Sequence, residues 1–111
     1  MAIYANLTVD QGSSFESTID ITDSENNPVN LTGYTFRGQI RKTYASTTSV
    51  SFTITSISPT SGSINLVLSA EQTSGIKAGR YLYDVEIISS TNIVTRVIEG
   101  QIEVTPRVTR V

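Results

Sequence analysis

Apolar and polar residues alternate along most of this chain with a period of two. The pattern is clearest over residues 34–41, where aromatic and aliphatic side chains fall on one face and Thr, Arg and Gln side chains on the other. Successive side chains of a β-strand point to opposite faces, so this alternation indicates a strand with one buried and one solvated face. It recurs over residues 3–9, 15–21, 34–41, 50–55, 64–68, 81–88 and 94–104.

Turn residues separate these segments. The polar cluster at residues 23–28 ends in Pro28, which cannot continue a strand ladder, and residues 59–62 have the Pro and Gly expected of a hairpin connection. Ser69 and Gln72 have the spacing of a capping box, which predicts one short helical turn near residues 70–76. Gly100, within the last strand, predicts a bulge or a bend there.

About seven strands with a single helical turn predict an all-β fold, an antiparallel β-sandwich of the Ig-like or Greek-key type. A length of 111 residues suits one domain spanning residues 1–111. Residues 105–111 are expected to leave the sheet as an extended basic arm.

The chain has no Cys and no His. Thiol nucleophiles, thiolate metal sites, the usual general base near neutral pH and the commonest transition-metal ligand are therefore excluded. We expect no catalytic residue, no cofactor, no small-molecule substrate and no enzyme activity.

The net charge of −2 and the scattered basic residues argue against nucleic-acid binding. The N-terminus has neither the basic nor the apolar region of a signal peptide, and no apolar run reaches the length of a membrane span. We therefore expect a protein made in the cytoplasm that does not bind membranes.

Two groups of acidic residues are candidate sites. Asp23, Glu25, Asn26 and the neighbouring Asn27 bring several oxygen ligands into one loop, which would suit a hard cation such as Ca²⁺, although a polar turn explains the same residues. Asp84 and Glu86 share a strand face and, with Glu99, would suit glycosidic chemistry, although alternating charges on a solvated face, paired across the sheet with Arg37, Arg41 or Arg80, explain the same residues.

Exposed aromatic and terminal residues are the candidates for contacts with other proteins. Tyr34, Tyr81 and Tyr83 fall on core or core-edge positions, whereas Tyr44 lies in a Ser/Thr-rich loop. Thr-rich strands with few Lys and no interior Pro leave sheet edges open to partners. The predicted assembly interface comprises Tyr4, Tyr44, Arg107, Val108 and Arg110.

Several phrases of the sequence resemble a family of phage structural proteins. They are D-x-G-x-x-F from Asp10, D-x-x-x-N-P-V-N-L-T-G-Y-T from Asp23, G-S-I-N-L-V-L-S from Gly62, G-R-Y-L-Y-D-V-E from Gly79 and V-I-E-G from Val97. Over roughly residues 7–104 their order resembles the N-terminal domain of upper baseplate proteins of tailed bacteriophages.

This resemblance implies a structural protein of the virion, placed in a baseplate, tail, neck or capsid surface, that contacts other virion proteins and copies of itself. Baseplate members usually have a longer C-terminal region, so the end at Val111 favours a decoration, neck or tail accessory subunit. The family has no catalytic motif to transfer. The alternative is a module that binds cell-surface carbohydrate or peptide, assisted by calcium at residues 23–27.

Overall fold

The structure, a computed structural model, describes residues 3–108, and these form a β-sandwich of two packed sheets. They contain nine strands: β1 Ile3–Tyr4, β2 Leu7–Asp10, β3 Phe15–Asp20, β4 Thr35–Arg41, β5 Val50–Ser51, β6 Thr53–Ser58, β7 Ser63–Leu68, β8 Gly79–Ile88 and β9 Val94–Thr105. A 3-10 turn, Pro59–Ser61, joins β6 to β7, and a short helix α1, Ala70–Ser74, precedes β8. The predicted all-β sandwich is confirmed.

The first sheet has the order β9-β8-β4-β5, with β1 and β2 both pairing with the outer side of β9. The second sheet has the order β3-β7-β6. Consecutive strands pass between the sheets from β3 to β4 and from β7 to β8, as in Ig-like sandwiches.

The pairs are antiparallel except that β1 and β2 run parallel to β9. The sandwich is otherwise antiparallel, as predicted, and the two parallel pairs lie at the edge of the first sheet. A parallel pair needs a long connection, and nearly the whole chain lies between β2 and β9. Alternation in the sequence gives the buried face of a strand but not the direction of its neighbour.

Two of the expected strands are each divided. The segment at residues 3–9 is interrupted at Ala5 and Asn6, which lie between β1 and β2. The segment at residues 50–55 is interrupted at Phe52, whose N–H donates to the carbonyl of Gly38 at 3.0 Å. At Phe52 the chain leaves the first sheet and joins the second, and the buried ring lies between them.

The core consists of the inward residues of both sheets together with apolar residues of the connections, such as Leu31. Its most deeply buried side chains are Val9, Leu31, Ile40, Ile64, Leu66, Leu68, Val85, Ile102 and Val104. Phe52 is central to the aromatic packing, since its ring centroid lies 6.4 Å from that of Phe15 and 6.1 Å from that of Tyr83. Large inward side chains from both sheets thus make one hydrophobic core.

The expected bulge at Gly100 is wrong in position. Gly100 pairs regularly with Tyr83, and the bulge lies nearer the start of β9, where Val97 falls between the residues that pair with Val85 and Glu86. Gly100 has a different use, because a Cβ atom there would overlap the carbonyl group of Ala5. Glycine therefore lets the segment between β1 and β2 lie close against β9.

The predicted helical turn is confirmed as α1. The side chain of Ser69 accepts from the backbone N–H of Gln72 at 3.1 Å, and the side chain of Gln72 accepts from the N–H of Ser69 at 2.9 Å. Both bonds of the predicted capping box are therefore present. Gly75 caps the helix at its other end.

The C-terminal arm begins later than expected, because Thr105 is still part of β9. Arg107 then packs over Gly12, where a Cβ atom would overlap its guanidinium group. Gly12 has a φ of +83°, in the left-handed region that favours glycine. Of the predicted arm, residues 109–111 lie outside the described residues, and with them the interface candidate Arg110.

Candidate functional site on the outer face of the first sheet

A groove of about 280 Å³ crosses the solvent-facing side of β4, β8 and β9. Strand register builds it, since Glu99 lies opposite both Tyr4 and Asp84, and Asp84 lies opposite Gln39. These four side chains form a row across four strands. Tyr44, from the loop after β4, also lines the groove. We call this feature the tyrosine groove, after Tyr4 and Tyr44.

The two tyrosines are strongly exposed for aromatic residues. Tyr4 is 64% exposed and Tyr44 is 85% exposed. Tyr83 is buried and its hydroxyl donates to the carbonyl of Ala5 at 2.7 Å, while Tyr81 is half-buried. Tyr34 also packs against the core. The five tyrosines therefore do not form one platform, but the two predicted as interface residues do line the same groove.

The floor of the groove contains two carboxylates that share one guanidinium. Asp84 and Glu99 lie directly opposite each other on β8 and β9. Nε of Arg96 lies 3.3 Å from Oδ2 of Asp84, and its Nη1 lies 3.8 Å from Oε2 of Glu99. Like charges opposite each other destabilise a strand pair, so Arg96 offsets a repulsion built into the register.

Burial raises the pKa of the Asp84 carboxyl above its ordinary value. Arg96 acts in the opposite direction, and the nearby Glu86 and Glu99 raise the pKa further. The charged form of Asp84 is thus less favourable than that of a fully hydrated aspartate. A partner that brought a further cationic group to the groove would lower this cost.

The other charged side chains around the groove have partners within the chain. Nε of Arg37 donates to Oε1 of Glu86 at 2.7 Å, across the β4–β8 pair. Arg41 donates to Oε1 of Gln39 at 2.9 Å and to the carbonyl of Ser46. Because Ser46 lies in the same loop as Tyr44, Arg41 fixes that loop against the end of β4.

The structure does bring together the three carboxylates considered for glycosidic chemistry. Asp84, Glu86 and Glu99 all line the groove. Each of them, however, lies in an ion pair with Arg37 or Arg96. The arrangement agrees with paired charges on the solvated face of a sheet.

The candidate calcium loop lies apart from the groove. Oδ1 of Asp23 accepts from the backbone N–H of Glu25 at 2.9 Å and from that of Asn27 at 3.0 Å. Asn26 has a φ of +64°, a conformation that Asn tolerates well. The Asp23 carboxylate thus organises a turn, and residues 3–108 contain no group of three acidic side chains placed to hold a metal ion.

The terminal interface candidates do not line the groove. Val108 is 98% exposed, and Arg107 packs on Gly12 near the end of β9. The structure therefore divides the predicted interface into the tyrosine groove and a terminal patch.

Sequence reasoning did not predict that Leu82, Gln39, Arg41 and Arg96 would share a groove with the tyrosines. Alternation placed Leu82, Gln39 and Arg41 on outward faces, but it could not show which strands are neighbours.

Among the residues that the structure describes, no helix has the length and hydropathy of a membrane-spanning segment.

The residues described above define a β-sandwich with a polar groove lined by tyrosines. No protein-family model matches the chain, and no curated protein matches it. Among solved structures, an internalin-like protein of Listeria monocytogenes is similar over 96% of this chain, with 17% sequence identity and a TM-score of 0.45. The chain spans 28% of the length of that protein.

Proposed function

We propose that this chain is a structural subunit of a bacteriophage virion that acts through protein–protein contacts. The observation that carries the proposal is the tyrosine groove, in which Tyr4 and Tyr44 expose most of their surface beside a row of ion pairs. The resemblance to phage baseplate domains supplies the biological setting. In this proposal the chain has no catalytic role and resides in the virion.

The chemistry of the groove suits a protein partner. Tyr and Arg are enriched at interfaces and at the positions that contribute most to binding, and the groove has both. Tyr44 is held on a loop that Arg41 anchors, so ordering it on binding costs less entropy than ordering a free loop. The ion pairs supply charges that fix the orientation of a partner.

The test is incorporation into particles. The gene would be expressed with a small tag during infection, and purified particles would be examined by immunogold electron microscopy and quantitative mass spectrometry. Labelling at a baseplate, tail, neck or capsid surface supports the proposal and gives the position. Absence of the chain from purified particles contradicts it.

A double variant, Tyr4→Ala with Tyr44→Ala, tests the groove itself. Loss of two interface aromatics is expected to lower incorporation about tenfold or more. Ile93→Ala is the matched control, because Ile93 is also 64% exposed but lies outside the groove. Equal incorporation of the double variant and the control would show that the groove is not the contact surface.

The groove also favours a second candidate, a module that binds carbohydrate or peptide at a cell surface. Aromatic side chains beside a few placed polar groups are typical of ligand sites. Glycan arrays and calorimetric titration, with and without a chelator, discriminate between the candidates. Binding that Tyr44→Ala abolishes would support this module, and loss of binding on chelation would assign calcium a role.

A further inference from the structure

We propose that the edge strand β6 binds β6 of a second copy of this chain, antiparallel and about a two-fold axis. The inference rests on the proposed assembly function and names the partner and the surface for self-association. The two three-stranded sheets would become one continuous six-stranded sheet across the dimer. The contact lies in the sheet opposite the one that bears the tyrosine groove.

The backbone of β6 is open on one side. β6 is the outermost strand of its sheet and pairs only with β7 in the described part of the chain. Within residues 3–108, no hydrogen bond from outside the β6–β7 ladder reaches the backbone of residues 53–57. Every second residue of such a strand points its N–H and C=O groups away from its partner, which is the recognition surface for another strand.

The side chains of β6 do not guard this edge. Residues 43–70 contain no charged side chain, so β6 has none of the Lys or acidic residues that commonly block edge pairing. The other edge of the same sheet differs, since β3 exposes Glu16 and Asp20 on its outer face. The two edges of one sheet are therefore chemically distinct.

This difference favours a second copy through β6. An antiparallel two-fold pair places the residues of one strand opposite the same strand of its partner, and Thr and Ser side chains pair favourably across strands. The same operation on β3 would bring its carboxylates near their own copies, and like charges repel. A β6–β3 contact would not close and would form filaments instead.

The regular part of the edge is short. A bulge after Ser56 leaves Ile57 without a partner on β7, so the strand is regular only over Thr53–Ser56. Ile57 adds an apolar side chain that is 55% exposed. A strand contact of this length buries less than the ~1,200 Å² of standard stable interfaces, so we expect a weak dimer that forms only as the protein concentration rises. In a particle, several contacts acting together would strengthen it.

The test compares two substitutions in one row of side chains. Thr18 on β3 and Thr55 on β6 both lie opposite Asn65 on β7, and both are exposed. Sedimentation velocity of the full chain over a concentration series measures self-association. Thr55→Lys places two like charges at the two-fold contact and is expected to raise the dimer dissociation constant about tenfold or more. Thr18→Lys is expected to leave it within a factor of about two, because that edge faces solvent.

Amide hydrogen exchange gives a second measurement that does not depend on a variant. Protection of the amides of residues 53–57 should rise with protein concentration, while that of residues 15–20 should not. A chain that stays monomeric at every concentration overturns the proposal. An equal loss of self-association in Thr55→Lys and Thr18→Lys also overturns it, as does the formation of filaments that Thr18→Lys disrupts. Incorporation into particles by a monomeric chain would contradict this contact but leave the proposed function intact.

Discussion

Replacing Gly100 by Ala should destabilise this fold far more than a single methyl group ordinarily does. Gly100 lies in the middle of β9, where the break between β1 and β2 crosses closest to the sheet. An added Cβ would overlap the carbonyl of Ala5 and also crowd its backbone C and N atoms. Because the overlapping atoms belong to the backbone, the overlap is relieved only by moving a segment of the chain, not by rotating a side chain.

The magnitude follows from two effects. Forcing a methyl group into a packed site costs about 1–3 kcal/mol. Moving Ala5 also breaks the hydrogen bond of 2.7 Å from the buried Tyr83 hydroxyl, a loss of about 1 kcal/mol. Together Gly100→Ala should lower the free energy of unfolding by about 2–4 kcal/mol, a large part of the 5–15 kcal/mol of a typical domain.

Urea denaturation followed by tyrosine fluorescence measures the effect, with Gly75→Ala as the control. Gly75 has a φ of −82°, and a Cβ there would meet its nearest neighbour at an ordinary 3.6 Å. Its change should be neutral or stabilising by up to about 1 kcal/mol. Adding Tyr83→Phe to Gly100→Ala should cost less than Tyr83→Phe alone, because the bond is already broken. A loss below about 1 kcal/mol for Gly100→Ala would refute the reasoning.

Two further predictions concern single side chains. Thr73 is fully buried, and its hydroxyl accepts from the N–H of Gly12 at 3.0 Å and donates to the carbonyl of Ser13 at 2.9 Å. Thr73→Val should therefore lower the free energy of unfolding, measured by urea denaturation, by about 1–3 kcal/mol. Thr73→Ser should keep both hydrogen bonds. Burial raises the pKa of Tyr83 from 10.0 to about 12. Because the folded-state pKa lies above the unfolded value, this group stabilises the fold below pH 10.0, and that contribution is lost as the pH rises toward 12. The difference in unfolding free energy between the native chain and Tyr83→Phe should therefore shrink over this interval, and a constant difference would contradict the assignment.

Local chemistry in the sequence predicted most of the secondary structure. Alternation located the strands and their buried faces, and the capping box placed α1 because both of its bonds form between residues three apart. The fully buried Val85 and the half-buried Phe36 lie on the predicted inward faces. These features depend on near neighbours, which a single sequence displays.

The features that were missed depend on distant neighbours. The bulge at Val97 adds one residue to β9, which reverses the faces of the side chains that precede it. Val94 is therefore 46% exposed, although its spacing from Ile98 suggested that the two residues share one face. Its only local sign is the adjacent apolar pair Val97 and Ile98 in an otherwise alternating strand. The parallel pairing of β2 with β9 and the change of sheet at Phe52 have no sign of this kind.

The candidate site was predicted only in part for the same reason. Tyr4 and Tyr44 were expected to be exposed, but the groove that they share depends on two long-range features. Strand register places Tyr4 opposite Glu99, and a hydrogen bond from Arg41 to the carbonyl of Ser46 positions the loop of Tyr44. Neither contact is readable from residue spacing. Asp84 and Glu86 were expected on one face, and Glu86 pairs with Arg37, one of the expected partners. Asp84 instead pairs with Arg96, which was not among them.

The two sheets differ in a way that bears on assembly. Ion pairs and exposed tyrosines lie on the outer face of the first sheet, whereas the uncharged run of residues 43–70 supplies two of the three strands of the second. In the proposed virion role, the chain contacts both its own copies and a different neighbour. Charged, orientation-specific surfaces suit recognition of a different chain, and an uncharged strand edge suits pairing with itself, because identical charges would repel. The groove and the edge of β6 therefore suit these two tasks separately, and variants in one should leave the other unaffected.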